Sequence, residues 1–242
     1  MRILFALAAS LMLAACGGGT TEGNVAVADP VVNVTTPQGT NWLETVSRTP
    51  EGGYRQGNPA APIKLVEYGS RSCPVCGRFA AEGMEPLRAK YISTGKVSYE
   101  FRDFFVHPQD PAIAVLGHCV PTEAFFPILD GMFAEQPRFA ERQSQVTDEM
   151  FQQIQGLPRQ QQTAMLAQVL GYVEFMKQRG IPQARLDQCL ADPAMLATLG
   201  TQVQTAIDRG VAGTPSFFIN DQKVNAVVWA DLEPQLQAAG AR

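Results

Sequence analysis

Two cysteines separated by two residues are the most chemically distinctive feature of the sequence. Cys73 and Cys76 enclose Pro74 and Val75. Thiols at this spacing can exchange a disulfide with a second dithiol, and the attacking form is the thiolate. Pro74 suits the first turn of a helix, where free backbone N–H groups and the helix dipole stabilise an anion. The motif therefore predicts redox exchange, with Cys73 as the attacking residue.

Three other uses of such a cysteine pair fit the surrounding residues less well. Haem attachment needs a histidine directly after the second cysteine, where Gly77 stands. A structural zinc site usually needs a second ligand pair, and only His118-Cys119 could contribute one. A purely structural disulfide across so small a loop removes little chain entropy. Metal binding stays an alternative, and redox chemistry is the stronger interpretation.

The N-terminus predicts an export signal followed by a tether. The apolar segment of residues 3–15 follows Met1-Arg2 and is too short to span a bilayer. It ends in Leu13-Ala14-Ala15-Cys16, which resembles the lipobox of bacterial lipoproteins, with Cys16 as the lipid carrier. We expect a signal peptide over residues 1–15 and a flexible tether over residues 16–41. An ordinary cleaved signal with a chance cysteine is the alternative.

Two further cysteines remain once Cys16 is set aside. Cys119 and Cys189 are isolated from one another and from the Cys73/Cys76 pair. In an oxidising compartment the economical assignment is one redox-active pair and one structural pair. A disulfide between Cys119 and Cys189 would stabilise the fold by roughly 4 kcal/mol in the chain-entropy model.

Charge and hydropathy exclude two broad classes. The 242 residues include 19 Lys and Arg against 23 Asp and Glu, a net charge of −4. Nucleic-acid binding is not expected, because the chain has no basic excess to displace counterions from phosphates. No apolar run reaches the roughly 18 residues that a bilayer-spanning helix needs, so none is expected in the mature protein.

Hydrophobic patterning predicts alternating strands and helices. Strands are predicted over residues 63–68 and 96–104, and a hairpin over residues 216–228 turns at Asn220-Asp221-Gln222. A helix is expected from Pro74 and a helical block over residues 111–210. Pro86 should kink or interrupt the first helix, whereas Asp192-Pro193 is a good helix start. The order of strands and helices predicts an α/β fold whose sheet is completed after a helical insertion.

These features together resemble the thioredoxin superfamily, and within it the DsbA-like exported thiol-disulfide oxidoreductases. The resemblance spans about residues 52–236. It rests on Glu67-Tyr68 before the Cys73-Pro-Val-Cys76 motif, on the helical insertion, and on Gly213-Thr214-Pro215 entering a strand. It implies an α/β, thioredoxin-like fold with an inserted helical domain. We assign residues 42–105 and 201–242 to the thioredoxin-like domain and residues 106–200 to the insertion.

The resemblance also implies roles for individual residues. Cys73 would be the exposed nucleophile, and Cys76 would resolve the mixed disulfide. Thr214-Pro215 resembles the family's cis-proline loop, which faces the cysteines and, with Pro74 and Val75, would bind an extended substrate. Glu67 matches the position of a family acid that shuttles protons to and from the second cysteine; a strand-end glutamate that reaches solvent is the alternative.

Two further details concern the cysteines. The pair Cys119 and Cys189 resembles the extra helical-domain disulfide of some DsbA-like proteins. Val75 stands where the strongest oxidants carry a histidine, so Cys73 is expected to be less acidic than in those proteins. His107 and His118 are interpreted as structural or surface residues, because they lie far from the motif in sequence.

The sequence thus predicts a thiol-disulfide oxidoreductase that acts on unfolded or flexible exported polypeptides. Its redox centre would be the Cys73–Cys76 disulfide, with no metal or other cofactor. A membrane redox partner would recharge or reduce it. We expect a location in the periplasm or cell envelope with a lipid anchor at Cys16, and Gly17 favours the outer membrane.

The direction of exchange is predicted from what the sequence lacks. Residues 17–51 are too sparse for the dimerisation domain typical of isomerases, which favours a disulfide donor over an isomerase or reductase. Two other classes remain as alternatives, a metal-handling module with soft Cys73 and Cys76 ligands and an inactive scaffold lipoprotein.

Overall fold

A computed structural model describes residues 23–32, 34 and 37–242. The expected signal peptide over residues 1–15 and the lipid-bearing Cys16 lie outside the described residues. Six strands form one sheet in the order β1-β2-β4-β3-β5-β6. They are β1 (Val46–Arg48), β2 (Tyr54–Gln56), β3 (Ile63–Gly69), β4 (Val97–Asp103), β5 (Ser216–Ile219) and β6 (Gln222–Val224).

Ten α-helices lie among the described residues, eight of them between β4 and β5. In chain order they are α1 (Pro74–Leu87), α2 (Asp110–His118), α3 (Phe125–Ala134), α4 (Gln136–Ser144), α5 (Asp148–Gln155), α6 (Arg159–Val169), α7 (Tyr172–Gln178), α8 (Gln183–Leu190), α9 (Pro193–Asp208) and α10 (Trp229–Ala238). The α/β, thioredoxin-like fold with an inserted helical domain is therefore confirmed. The expected domain boundary at residue 200 falls inside α9, which runs without a break.

The central strand β3 carries the chain to the cysteine motif. It pairs in parallel with β4 and antiparallel with β5, so both of its edges are hydrogen-bonded. Residues Ile63, Leu65 and Glu67 alternate onto one buried face, as period-2 geometry requires. That face packs beneath α1, α3 and α10 in the largest apolar cluster, whereas Val66 and Tyr68 on the other face pack against α9.

The helix that follows the motif continues through Pro86, where the sequence predicted a kink or interruption. Pro86 lies in the last turn of α1, and a short π-helical segment, Arg88–Ile92, carries the chain onward. In that segment Ser93 N donates to Arg88 O at 3.0 Å, five residues back. Pro86 has no N–H to donate to the carbonyl of Glu82, so the helix loses one hydrogen bond there and continues.

Part of the segment expected to be a flexible tether lies against the folded domain. Gly23 forms a parallel bridge with Val224 of β6. Farther along, the N–H groups of Ala28 and Val31 donate to the carbonyls of Ala238 and Gly240, at 2.8 and 2.9 Å. Residues 23–31 are therefore a strap across the C-terminal edge of the fold, and the expectation of a free tether was wrong for them. The Val-rich sequence from Val25 to Val34 is compatible with strand pairing, but it names no partner, because these contacts are made by backbone groups and need no particular side chains.

Candidate active site

The first cysteine occupies the N-terminus of α1. Cys73 is the N-cap residue and Pro74 follows in the first turn. Its Sγ lies 3.4 Å from the carbonyl oxygen of Thr214, to which the thiol donates. The bond from Thr214 to Pro215 is a cis peptide. The fold thus brings the Cys73 thiol and the Thr214-Pro215 loop together from opposite ends of the chain.

The environment of Cys73 favours its thiolate. The pKa of Cys73 is lowered from about 9 to about 5, chiefly by the hydrogen bond from the Cys76 thiol. Burial opposes this shift, while Thr214 and the backbone N–H groups of Cys76 and Val75 add to it. These N–H groups are available because the first turn of a helix leaves its donors unpaired. Val75 therefore stabilises the anion through its backbone, although its side chain offers no hydrogen bond.

The second cysteine lies in the opposite kind of environment. Cys76 is fully buried one turn into α1. Burial raises its pKa well above the ordinary thiol value, and the hydrogen bond with Cys73 and the charge of Glu67 raise it further. Both cysteines are free thiols in this structure. Cys73 is itself buried, with 6% of its surface exposed, so the exposed position expected for it was wrong. The site therefore pairs a sulfur that ionises readily with a more deeply buried sulfur that holds its proton.

Glu67 brings a buried carboxyl to the same site. Its side chain is almost fully buried at the end of β3. The Tyr99 hydroxyl donates to Glu67 Oε2 at 2.6 Å, and Oε1 has no hydrogen-bond partner. Burial raises the pKa of Glu67 to about 8, against the lowering effect of the Tyr99 hydrogen bond. The solvent-reaching alternative for this glutamate is wrong, and the carboxyl is protonated near neutral pH.

A buried ion pair supports the turn that precedes Cys73. Arg71 is almost completely buried and donates to Asp103 at 2.8 and 3.2 Å, while His118 Nε2 lies 2.9 Å from the same carboxylate. The pKa of Asp103 is held well below its usual range by Arg71 and His118, against the effect of burial. Gly117 is required next to this pair, because a Cβ there would collide with the Arg71 guanidinium.

A second polar cluster lies on the other side of that turn. Ser72 Oγ is 2.6 Å from Asp110 Oδ1 and 2.8 Å from His107 Nδ1. Ser70 also donates to Asp110, at 3.0 Å. His107 was interpreted from the sequence as a structural or surface residue, and its side chain is partly exposed beside the residue that precedes Cys73. No periodic pattern connects position 107 to position 72, so sequence reasoning missed this contact.

The other two cysteines form a structural bond away from the redox pair. Cys119 and Cys189 are joined with an S–S distance of 1.98 Å and a Cα–Cα distance of 6.0 Å. Both are buried within the apolar cluster of the helical insertion, where they connect the end of α2 to α8.

The described part of the chain contains neither a metal-ligating cluster nor a membrane-spanning helix. Among the residues that the structure describes, no three His, Cys, Asp or Glu side chains converge in an arrangement that could ligate a metal. Within the same part of the chain, no helix combines the length and apolarity needed to cross a bilayer.

Comparison with known proteins supports the family suggested by this geometry. A family model described as thioredoxin matches residues 49–238. The crystal structure of a protein-disulfide isomerase from Novosphingobium aromaticivorans is 31% identical with a TM-score of 0.73, covering 76% of this chain and 95% of that one. Wolbachia pipientis alpha-DsbA1 shares the fold at a TM-score of 0.60 and 21% identity, over 77% and 92% of the two chains.

A curated relative is similar over a shorter part of its length. A candidate protein-disulfide oxidoreductase of Rickettsia prowazekii is 28% identical over 167 residues, which cover 68% of this chain and 53% of the relative. The chain thus spans about half the length of the curated Rickettsia relatives that it matches. From the family match, the shared fold and the placement of the cysteine motif, we conclude that the chain belongs to the thioredoxin family.

Proposed function

We propose that the protein is a thiol-disulfide oxidoreductase that donates the Cys73–Cys76 disulfide to exported polypeptides. The observation that carries the proposal is the asymmetry of the two thiols. Cys73 ionises readily at the mouth of α1 beside Thr214, and Cys76 is buried and retains its proton. A stabilised thiolate and a second, more deeply buried thiol beside it are the two groups that stepwise exchange needs.

The exchange proceeds through a mixed disulfide. A substrate thiolate attacks Cys73 Sγ, forms a new S–S bond and breaks the Cys73–Cys76 bond, so that Cys76 leaves as a thiolate. A second substrate thiolate then attacks the substrate sulfur of the mixed disulfide. This forms the substrate disulfide and releases Cys73 as a thiolate. Two electrons pass from the substrate dithiol to the protein.

Glu67 supplies the proton for the first of these steps. Its carboxyl is protonated near neutral pH, because burial raises its pKa to about 8. The Cys76 thiolate is a stronger base, since its pKa is raised well above that of an ordinary thiol. Proton transfer from Glu67 to Cys76 is therefore downhill, and it moves the negative charge from the Cys76 sulfur to the Glu67 carboxylate, which accepts a hydrogen bond from Tyr99.

The thiolate at Cys73 also supports the donor direction. Stabilising this anion stabilises the reduced form of the couple, which makes the disulfide more oxidising. The second candidate is disulfide isomerisation, favoured by the name of the Novosphingobium relative. An isomerase would use the reduced Cys73 thiolate to attack an incorrect substrate disulfide, and the same residues would serve it.

Substrates would bind across the Thr214-Pro215 loop and the start of α1. The cis bond places the loop backbone beside Cys73, where an extended polypeptide can pair with it as an added strand. Pro74 borders an open groove of about 480 Å³ that continues past Phe133 and Phe139, apolar side chains suited to an unfolded segment. Pro74 and Val75 would contact the substrate next to its reacting sulfur.

The cellular setting completes the proposal. Residues 1–15 would direct export, and acylation of Cys16 would anchor the protein in the periplasm or cell envelope, with the outer membrane favoured by Gly17. A membrane redox partner would reoxidise Cys73 and Cys76 after each turnover. The disulfide itself is the redox centre, so no separate cofactor is invoked.

The test is a redox titration of the Cys73–Cys76 couple against glutathione, combined with oxidative refolding of a reduced substrate. An oxidising couple that Cys73→Ser abolishes supports the donor role, whereas a reducing couple supports isomerase or reductase activity. Cys76→Ser cannot form the disulfide that is donated, but its Cys73 thiolate can still attack an oxidised substrate, and a mixed disulfide should then accumulate because Cys76 is not there to release it. Full refolding activity in Cys73→Ser would refute the proposal.

Equilibrium dialysis of the reduced protein against copper and zinc distinguishes a metal-handling module from an oxidoreductase. Tight binding at the two thiols, without exchange activity, would favour that alternative. Normal binding of a partner by a Cys73→Ser, Cys76→Ser variant, again without exchange in the native protein, would favour the inactive scaffold.

A further inference from the structure

A glutamine of the helical insertion contacts the backbone on which Cys73 is built. Gln136 is the first residue of α4, and its Nε2 lies 3.0 Å from the carbonyl oxygen of Arg71 and 2.9 Å from that of Cys73. A carboxamide carries two N–H donors, so one side chain satisfies both carbonyls. Cys73 O also accepts the helical bond from Gly77 N at 3.0 Å.

The other end of this carboxamide rests on α1. A Cβ at position 77 would collide with Gln136 Oε1 and Cδ. Glycine at the residue after Cys76 therefore gives Gln136 the space to reach the turn. The Gln136 side chain is held between the backbone before Cys73 and the first turn that follows it.

The backbone that carries Gln136 is connected to a second helix of the insertion by the ion pairs of Glu135. The preceding residue, Glu135, accepts from Arg138 at 2.8 Å and from Arg179 at 2.7 Å, which joins the start of α4 to the end of α7. These ion pairs hold the start of α4 in place, next to the turn that Gln136 contacts. The Gln136 carboxamide is thus presented to the active-site turn by α4, with α7 supporting it.

Its charge distribution favours the Cys73 thiolate. The carbonyl of Cys73 carries partial negative charge close to its own sulfur, which opposes ionisation. The Gln136 N–H groups present partial positive charge to this carbonyl and to that of Arg71. They therefore weaken the unfavourable effect of these carbonyls on ionisation of the Cys73 thiol. The effect acts through the backbone, since Gln136 has no hydrogen bond to either sulfur among the contacts described.

We propose that Gln136 is a positioning residue through which the helical insertion sets the acidity and redox poise of Cys73, with Gly77 as the space that admits it. This inference rests on the proposed function and adds a role for the insertion in exchange itself. The insertion then acts on the reacting thiol as well as forming part of the substrate surface.

The test compares three substitutions, two at Gln136 and one at Gly77, which contacts it in space. Gln136→Ala removes both donors and should raise the pKa of Cys73 and lower the oxidising strength of the couple. Loss of about one net neutral hydrogen bond predicts a roughly fivefold change in the glutathione equilibrium constant. Gln136→Glu, which replaces the donors by a carboxylate, should shift both quantities further in the same direction. Gly77→Ala should displace the glutamine and resemble Gln136→Ala.

Gln178→Ala is the matched control. Gln178 is also a glutamine of the helical insertion, but it bonds to Glu174 on its own helix and not to the active-site turn. The readouts are the thiolate absorbance of Cys73 against pH and the glutathione equilibrium constant, with the free energy of unfolding measured alongside. The double variant Gly77→Ala, Gln136→Ala should equal Gln136→Ala, because the two residues act through one contact.

The outcomes separate this inference from the function on which it rests. Raised Cys73 pKa values and shifted constants in the position-136 variants, with Gln178→Ala unchanged, support it. Wild-type pKa and equilibrium values in Gln136→Ala overturn it, even if that variant is less stable, because the role would then be structural. An absence of exchange at Cys73 and Cys76 in the native protein would refute the proposed function itself.

Discussion

The two cysteine pairs of this protein sit at opposite ends of helices, and the difference determines what each can do. Cys73 caps the N-terminus of α1, whereas Cys119 is the C-cap residue of α2. A helix presents partial positive charge at its N-terminus and partial negative charge at its C-terminus. Cys73 therefore gains N–H donors for its thiolate, while Cys119 Sγ lies 3.4 Å from the carbonyl oxygen of Arg185.

The comparison explains why one pair suits exchange and the other suits structure. A sulfur that ionises readily is both a good nucleophile and a good leaving group, so its disulfide opens and reforms. A thiolate released at Cys119 would be buried near carbonyl oxygens, where an anion is disfavoured. Placement on a helix thus distinguishes two cysteine pairs that composition alone would treat alike.

The largest effect is expected from removing the reactive sulfur. Cys73→Ser should reduce disulfide exchange with a reduced substrate to the uncatalysed background, because no thiolate remains at the α1 N-terminus. The paired variant Cys119→Ser, Cys189→Ser should retain exchange and leave the potential of the Cys73/Cys76 couple near its native value. Insulin reduction and glutathione titration measure both. Equal loss of activity in the two variants would contradict the assignment of one reactive and one structural pair.

The structural pair should show its effect in stability instead. Cys119→Ser, Cys189→Ser is expected to lower the free energy of unfolding by roughly 4 kcal/mol, because the disulfide closes a long loop of the unfolded chain. Denaturant unfolding of the oxidised protein, monitored by circular dichroism, measures this change. A loss below about 1 kcal/mol would show that the bond contributes little to the fold.

Glu67→Gln should change the pH dependence of stability as well as exchange. The native pKa of Glu67 is about 8, above its value of 4.5 in an unfolded chain. The free energy of unfolding that the protonated Glu67 carboxyl contributes is therefore fully present below pH 4.5 and is lost as pH rises through 8. Glutamine cannot ionise, so the variant should gain on the native protein by an amount on the order of 4 kcal/mol by pH 9. Urea unfolding of the oxidised proteins from pH 5 to 9 tests this, since the cysteines do not titrate in that state.

The same variant separates stability from proton transfer. With Glu67→Gln the release of Cys76 should slow near neutral pH, because its thiolate loses the local proton donor. Stopped-flow measurement of the opening of the Cys73–Cys76 disulfide tests this step. Native rates across the pH range would remove Glu67 from the mechanism.

Tyr99→Phe should produce the smallest of these effects. The Tyr99 hydrogen bond lowers the pKa of Glu67, so its loss should move that pKa above 8 and shift the exchange profile to higher pH. A change of about one unit is expected for one hydrogen bond to a charged group. Tyr91→Phe is a matched control, because that hydroxyl bonds to Glu233 at the surface. An unshifted profile would show that Tyr99 only fills space.

Local patterns predicted the elements that carry the cysteines. The strand expected over residues 63–68 is observed over Ile63–Gly69, and Asp192 caps α9 by accepting from the N–H groups of Ala194 and Met195. These predictions succeed because their causes lie within a few residues of each other. The predicted second strand of the hairpin ends early, at Val224, and the next residue, Asn225, donates its N–H to Gly23 O of the strap and not to β5.

Contacts between distant segments were not predictable in the same way. Tyr99 lies in the strand predicted over residues 96–104, but its bond to Glu67 depends on the register between β3 and β4. The contacts of His107 with Ser72 and of Gln136 with Cys73 depend on how the insertion packs on the sheet. Neither residue carries a local signal, because a histidine or a glutamine in this setting is compatible with an ordinary surface position.

The strap of residues 23–31 has a consequence for an acylated form of the protein. The strap is bound to the edge of the fold from Gly23 onward, so little chain separates that edge from Cys16. Fully extended, the intervening residues cover at most about 25 Å. A lipid at Cys16 would then keep the domain within roughly its own diameter of the bilayer surface.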